Sequence, residues 1–386
     1  MKKLLISGAS LFALAVFTPA QVDAAQPLTL KIGGYLNSYF GYANVDAKYI
    51  TNPDSSSGTL NHFDVMNDGK IFFSGETALD NGLKIGVMTK LKITDDSQDK
   101  EAWIDEVYAT IDSRYGRTIL GSTDNVAVMQ HVSAPSAGYL DVEATKFVNW
   151  GVSNLSPLDA TYLDFDDKAQ KISYISPRYK GFSVAASWVP GTSFKGNTSN
   201  YGYREQSVIR PVADPGFRNA YVLSGNYEYL KDSFKLKASG AYANIDAIPL
   251  TGYTGQQSHR QDWSLGLSLG YKGFTLGGAF HDADLGDDSK NPYAFDFGVG
   301  YETDRYALSA AYFQSTQKQP AGEKKKDFQM YQLSGKYKLG SGVDAFASFA
   351  YLENQVDSSN AIALGRNGGL EKNQGWVLVS GIALKF

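Results

Sequence analysis

The sequence predicts an all-β chain that closes as a transmembrane antiparallel β-barrel of about sixteen strands, with short periplasmic turns and long extracellular loops. Three observations carry this. From Leu28 onward apolar residues recur with period two, in segments of about ten residues. The connections between these segments are alternately very short and much longer. Aromatic residues make up 13% of the 386 residues, with 25 Tyr, 21 Phe and 39 Gly, a balance that suits strands and tight turns.

The chain opens with Met1, Lys2 and Lys3, a mostly apolar stretch from Leu4 to Phe17, then Pro19 and the small-residue site Val22-Asp23-Ala24. Residues 1–24 therefore read as a secretory signal peptide, cleaved after Ala24 or Ala25, and 25–386 as the barrel. No later run approaches the ~18 consecutive apolar residues of a membrane helix. There is no Cys, so an exported chain of this size is held together without disulfides. A net charge of -4 gives no basic footprint for nucleic acid.

The short connections are Asp80-Asn81-Gly82, Ser113 to Gly116, Pro177 to Gly181, Lys231-Asp232, Lys272-Gly273, Thr303-Asp304 and Gly340-Ser341. Gly and Asn accept positive φ and Asp bonds its own backbone, so each closes a hairpin. The long connections fall at 47–67, 95–100, 123–167, 190–218, 246–260, 283–292, 317–326 and 354–373. Eight long and seven short connections join sixteen strands, an even number that lets the first strand pair with the last.

Two faces are visible along each strand. In Trp263-Ser264-Leu265-Gly266-Leu267-Ser268-Leu269-Gly270-Tyr271 the odd positions are large and apolar and the even ones Ser or Gly; Tyr293 to Tyr301 follows the same rule, with Asp296 on the small, polar face. Alternation alone does not say which face is outside. The tyrosines at strand ends, Tyr229, Tyr271, Tyr293, Tyr301, Tyr337 and Tyr351, tip the reading toward a membrane, where an amphipathic ring sits at the interface.

The last segment, Trp376 to Phe386, alternates large apolar residues and finishes on Phe386. It resembles the assembly signal of Gram-negative outer-membrane barrels. Together with Leu30 to Tyr35, Lys171 to Pro177 and Gly181-Phe182, it makes the mature chain similar to the general porin family. The resemblance implies an outer-membrane channel for passive diffusion of ions and small hydrophilic solutes, a homotrimer packed through small residues of the first and last strands, and delivery by the barrel-assembly machinery. One departure is the short 95–100 loop, where the family carries a longer latch into a neighbouring subunit.

The 123–167 connection is too long for a structureless excursion. The resemblance makes it a constriction loop folded into the barrel, with acids opposite bases on the wall. It carries Asp124, Asp141, Glu143, Asp159, Asp164, Asp166 and Asp167, while alternation turns Lys31, Lys90, Lys92, Arg117, Lys171 and Lys237 into the lumen. Opposed charges across a narrow passage order water and steer polar solutes. Inward bases outnumber inward acids while the loop is acidic, so the sign of ion selectivity stays open.

Other chemistry finds little support. His62, His131, His259 and His281 are placed in loops, without the spacing of a zinc site. No cofactor is expected; the one alternative is calcium at Asp164, Asp166 and Asp167. Lys324, Lys325 and Lys326 form a charge run that either stays solvated or meets anionic lipopolysaccharide. No G-x-S-x-G elbow or phosphate cradle occurs, so the chain reads as non-enzymatic. Competing readings are a substrate-selective channel, which calls for aromatics or an arginine ladder along the lumen, and a closed barrel with an adhesive or enzymatic role.

Overall fold

The computed structural model describes residues 27–45, 62–94, 103–143, 157–166, 168–191, 217–247, 259–285, 291–317, 325–355 and 372–386. Residues 1–24, expected to be a signal peptide, and Asp167 lie outside them, as do Lys324 and most of the long loops.

Sixteen strands form one closed antiparallel ring, each paired with its sequence neighbours and β1 with β16. They are β1 (Thr29–Val45), β2 (Phe63–Ala78), β3 (Lys84–Lys92), β4 (Trp103–Ser113), β5 (Gly116–Ser122), β6 (Gln170–Ile175), β7 (Phe182–Gly191) and β8 (Phe217–Lys231). The second half comprises β9 (Phe234–Ala247), β10 (His259–Tyr271), β11 (Phe274–Asp284), β12 (Pro292–Glu302), β13 (Tyr306–Gln317), β14 (Lys326–Gly340), β15 (Val343–Gln355) and β16 (Lys372–Lys385). Among the described residues one short helix, α1 (Val126–Met129), lies between β5 and β6.

All seven short connections fall where the turn residues place them. Lys272 (φ 47°) and Gly273 (φ 87°) form a two-residue turn with both φ positive, the hand that matches strand twist. The ring closes where Tyr35 stands opposite Lys385, and Gly34 and Phe386 exchange backbone hydrogen bonds of 2.9 and 3.1 Å. Phe386 lies so close to Gly34 that a Cβ there would fall 2.8 Å from its ring.

Burial decides which face is outside. On β10, Leu265 and Leu267 are 56% and 49% exposed, while Asp262 and Ser264 are covered. A soluble sandwich shows the reverse, so the apolar belt is the lipid face.

Two expectations change. Phe63 to Asn67 belongs to β2 rather than to the 47–67 loop, because Phe63 and Val65 extend the outward apolar alternation. His281 stands on β11 with its ring buried inside the barrel and His131 is largely covered, so neither is a solvated loop histidine, while His259 is solvated but opens β10.

The lumenal face is also less uniformly polar than the alternation implies. Phe313, Phe328, Met330, Leu352, Val377 and Val379, on β13 to β16, point inward and are fully buried. Something inside the barrel covers them.

Candidate constriction zone

What covers them is the chain between β5 and β6. Strand β5 is only seven residues long and pairs with β4 only as far as Ser122 opposite Val107. The chain therefore leaves the wall early and turns inward.

Its neck is fixed by buried polar groups. The Asn125 side-chain oxygen accepts from the Ala127 and Val128 amides at 2.8 and 3.2 Å, capping α1. Its amide nitrogen donates to the Leu163 carbonyl at 2.7 Å and to Asp166 at 2.8 Å, tying the outgoing limb of the loop to the returning one. Asp166 in turn pairs with Lys171 of β6 at 3.0 Å, both side chains wholly buried. Lys171 also donates to the Thr123 and Ala169 carbonyls. Burial pushes the Asp166 carboxyl up, against the pull of Lys171 and Asn125. These two residues hold the neck and do not line the water path.

From the neck the loop crosses the inner wall. Val126, Ala127 and Leu163 pack on Ala185, Val189, Ala220, Val222, Ala243 and Ile245 of β7 to β9. The Val132 amide donates to Ser239 at 3.0 Å, Ala134 to Asp296 at 2.7 Å, Ala137 to Ser309 at 2.9 Å and Leu158 to Ser315 at 2.8 Å. The backbone lies so close that a Cβ at Gly266 would overlap the Val132 carbonyl oxygen. Ala134, Leu140, Val142 and Leu158 cover the apolar patch of β13 to β16. Burying a large apolar side chain contributes about 1.5–3 kcal/mol, against about 0.5–1.5 for a hydrogen bond, so the patch is the stronger part of the seat.

The tip is tied down by Tyr139, whose hydroxyl donates to Asp344 of β15 at 2.5 Å and whose ring lies 5.1 Å from Phe346. On the return, the Thr161 hydroxyl donates to Asp296 at 2.5 Å, which leaves its lone pair to accept from His131 Nε2 at 3.1 Å. His281 Nδ1 donates to the Ala160 carbonyl at 3.0 Å. Burial, with the nearby His281, pushes His131 down to about 4, so it is neutral at pH 7. His131, Glu143 and Asp296 bring ligand atoms within 4.8 Å of one another. That is a candidate cation grouping, whose His131 and Asp296 are bridged by Thr161.

Beyond its neck the loop's contacts run over β7 to β16 and Tyr39 of β1. Beside the neck, β2 to β4 carry a second charged array. Lys70 meets Asp105 at 2.7 Å, Lys168 meets the same carboxylate at 3.0 Å, and Lys90 meets Glu106 at 2.9 Å. Thr123 donates to Glu106 at 2.8 Å. A register shift opposite Lys90 and Leu91 turns Asp105 and Glu106 to the same side. Burial raises the Asp124 carboxyl, with Lys168 beside it acting in the opposite direction; for Lys168, the carboxylates of Asp105 and Asp124 outweigh burial and push the ammonium up.

The sequence-derived site residues thus fall into groups. Asp141, Asp159 and Asp164 are exposed on the loop surface and Glu143 is covered. Lys90 and Lys92 face the lumen on β3, beside Lys70 and Asp105, which the sequence reading did not single out. Lys31 is exposed at the start of β1. Arg117 pairs with Asp112 at 2.5 Å and Lys237 lies 3.9 Å from Glu228, both toward the turn end of the barrel. Asp166 is buried and paired with Lys171, whereas Asp164 is exposed.

A closed ring with an apolar exterior, around a lumen into which one loop turns, defines a β-barrel channel of the outer membrane. The Gram-negative porin family model matches residues 9–357, and the chain belongs to that family. No curated protein matches its sequence. Among solved structures it is similar to OmpT of Vibrio cholerae in trimer form (11% identity, TM-score 0.59, 94% of this chain and 100% of that one). It is also similar to the anion-selective porin of Comamonas acidovorans (16%, 0.59, 93% and 100%) and to the channel DcaP of Acinetobacter baumannii (11%, 0.55, 93% and 97%). The chain is therefore an outer-membrane channel for passive diffusion.

Proposed function

We propose that the 123–169 segment sets the passage through this pore, with loop carboxylates on one side and the β2 and β3 lysines on the other acting together as its filter. The observation that carries this reading is the seating of the loop inside the barrel, which leaves Asp141, Asp159 and Asp164 on its surface. Small hydrophilic solutes exchange bulk water for oriented groups on both sides, while apolar solutes must displace ordered water without compensation. Lys31, Arg117 and Lys237 lie outside this narrow zone and act on approach.

Three further statements belong to the same reading. The chain reaches the outer membrane by way of a cleaved 1–24 signal peptide, and the Phe386 strand is what the assembly machinery engages. It works as a homotrimer, as OmpT does in its trimer form. It catalyses no reaction and needs no resident cofactor, because an open path for water and ions does the transport.

Ion conductance in a planar bilayer under a salt gradient tests the proposal. Large ohmic steps are expected, with a reversal potential that shifts in opposite directions when loop acids and wall lysines are neutralised. Conductance from inserted protein with a reversal potential indifferent to both sets would overturn the filter.

A further inference from the structure

Where the strands meet their short turns lies a cavity of about 820 Å³. Its lining is strongly charged. Lys235 comes from β9, Arg305 from the β12–β13 turn, Lys336 and Lys338 from β14 and Lys385 from β16, set against Glu302, Asp304 and Asp344. The balance is positive, and the acids are partly occupied. Asp344 accepts the Tyr139 hydroxyl at the loop tip, and Glu302 lies 4.0 Å from Lys336.

The remaining cations have no such counterpart. Among the described residues, Lys235, Arg305 and Lys338 make no ion pair, and Lys385 lies over the Tyr139 ring at 5.4 Å. Like charges around one cavity repel each other, and low-dielectric walls focus their field into the space between them. An anion entering relieves that repulsion at several groups at once, and a guanidinium beside ammonium groups suits phosphate or carboxylate oxygens.

We infer that this turn-side vestibule is a binding site for small soluble polyanions, molecules bearing phosphate or several carboxylates, held just beyond the constriction. The inference rests on the open-pore reading and adds a class of solute to it. The loop tip reaches the same space through Tyr139, so an anion seated on Lys385 lies next to the group that pins the loop to Asp344. Lys336 and Lys338 share the strand face of covered Ser334, and Lys385 that of covered Ala383, so these cations stand on the lumenal side, where the ligand is a dissolved solute.

The test uses inorganic pyrophosphate and the triple variant Lys235→Gln, Arg305→Gln, Lys338→Gln. All three side chains are exposed, so the ring should assemble unchanged, and heat-modifiable migration in detergent checks that. Calorimetric titration of the detergent-solubilised barrel at low salt should show saturable binding, weakened by about tenfold or more in the variant and by raised ionic strength. In a bilayer, pyrophosphate added on the turn side should reduce single-channel current at lower concentration than when added on the loop side. Sidedness can be assigned with a labelled Asp80→Cys protein, since the chain has no other cysteine. Absence of saturable binding, or binding equal in the variant, would overturn the vestibule while ohmic conductance left the pore standing. Binding without conductance would sink the pore instead.

Discussion

Asn125 and Asp166, 41 residues apart in sequence, meet at 2.8 Å in a fully covered neck and so join the two limbs of the loop between β5 and β6. Behind them stands the buried pair Asp166–Lys171. Removing one partner of a buried pair strands the other charge, at a cost of about 3–5 kcal/mol, whereas replacing both by apolar groups is often neutral. Lys171→Met should therefore lower the heat-unfolding midpoint in detergent and add current noise. The double change Lys171→Met, Asp166→Leu should recover much of the midpoint.

Close approach of the loop to the wall gives a steric test. Gly266→Val places side-chain atoms where the Val132 carbonyl now lies, so the loop must lift between β9 and β11. Single-channel conductance should rise and fluctuate. Gly225→Ala, with nothing within 4 Å of the added Cβ, should leave conductance unchanged.

His131 gives a pH dependence whose sign is fixed. Its folded value, about 4, lies below the ordinary 6.5 of a histidine. Above pH 6.5 both folded and unfolded forms hold it neutral and its contribution is fully present. Between about 6.5 and 4 the unfolded chain takes the proton first, so stability falls through that window. The imidazole faces Thr161, Glu143, Asp296 and His281. Midpoints measured from pH 7.5 to 4 should show an acid step that shrinks in His131→Gln.

Loop and wall charges should move selectivity in opposite senses. A unit charge about 7 Å from a passing ion in water-like surroundings is worth about 0.6 kcal/mol, about threefold in a permeability ratio. Asp141→Asn with Asp159→Asn should shift the reversal potential toward anions. Lys90→Gln with Lys92→Gln should shift it toward cations.

Strand number, turns and lipid face were legible because period two and turn chemistry are local. The loop's location was legible only through family resemblance and its length. Alternation says which face a residue occupies but not what covers it, so Lys171 was expected along the water path and lies in the neck. Asp105 escaped because a register shift in β4 overrides its parity. The seat formed by Phe313, Phe328 and Met330 escaped for another reason. Those strands carry large apolar residues on both faces, as Tyr312, Tyr331 and Leu333 show, and a two-sided strand loses the contrast from which faces are read. His281 was missed because one histidine gives no pattern until its partners, Ala160 and Asp262, are known.

The apolar patch beneath the loop gives the ring a mechanical asymmetry. From β13 to β16 the wall is backed by close-packed side chains on its inner side, while from β2 to β4 the inner side carries polar and charged groups beside water. Drawn out of the bilayer hairpin by hairpin, the β13 to β16 segment must shear two greasy surfaces at once and should give the highest rupture forces. The thinly backed arc opposite is where the ring would bend under lateral pressure, so changes in pore bore should come from that side while the loop stays put.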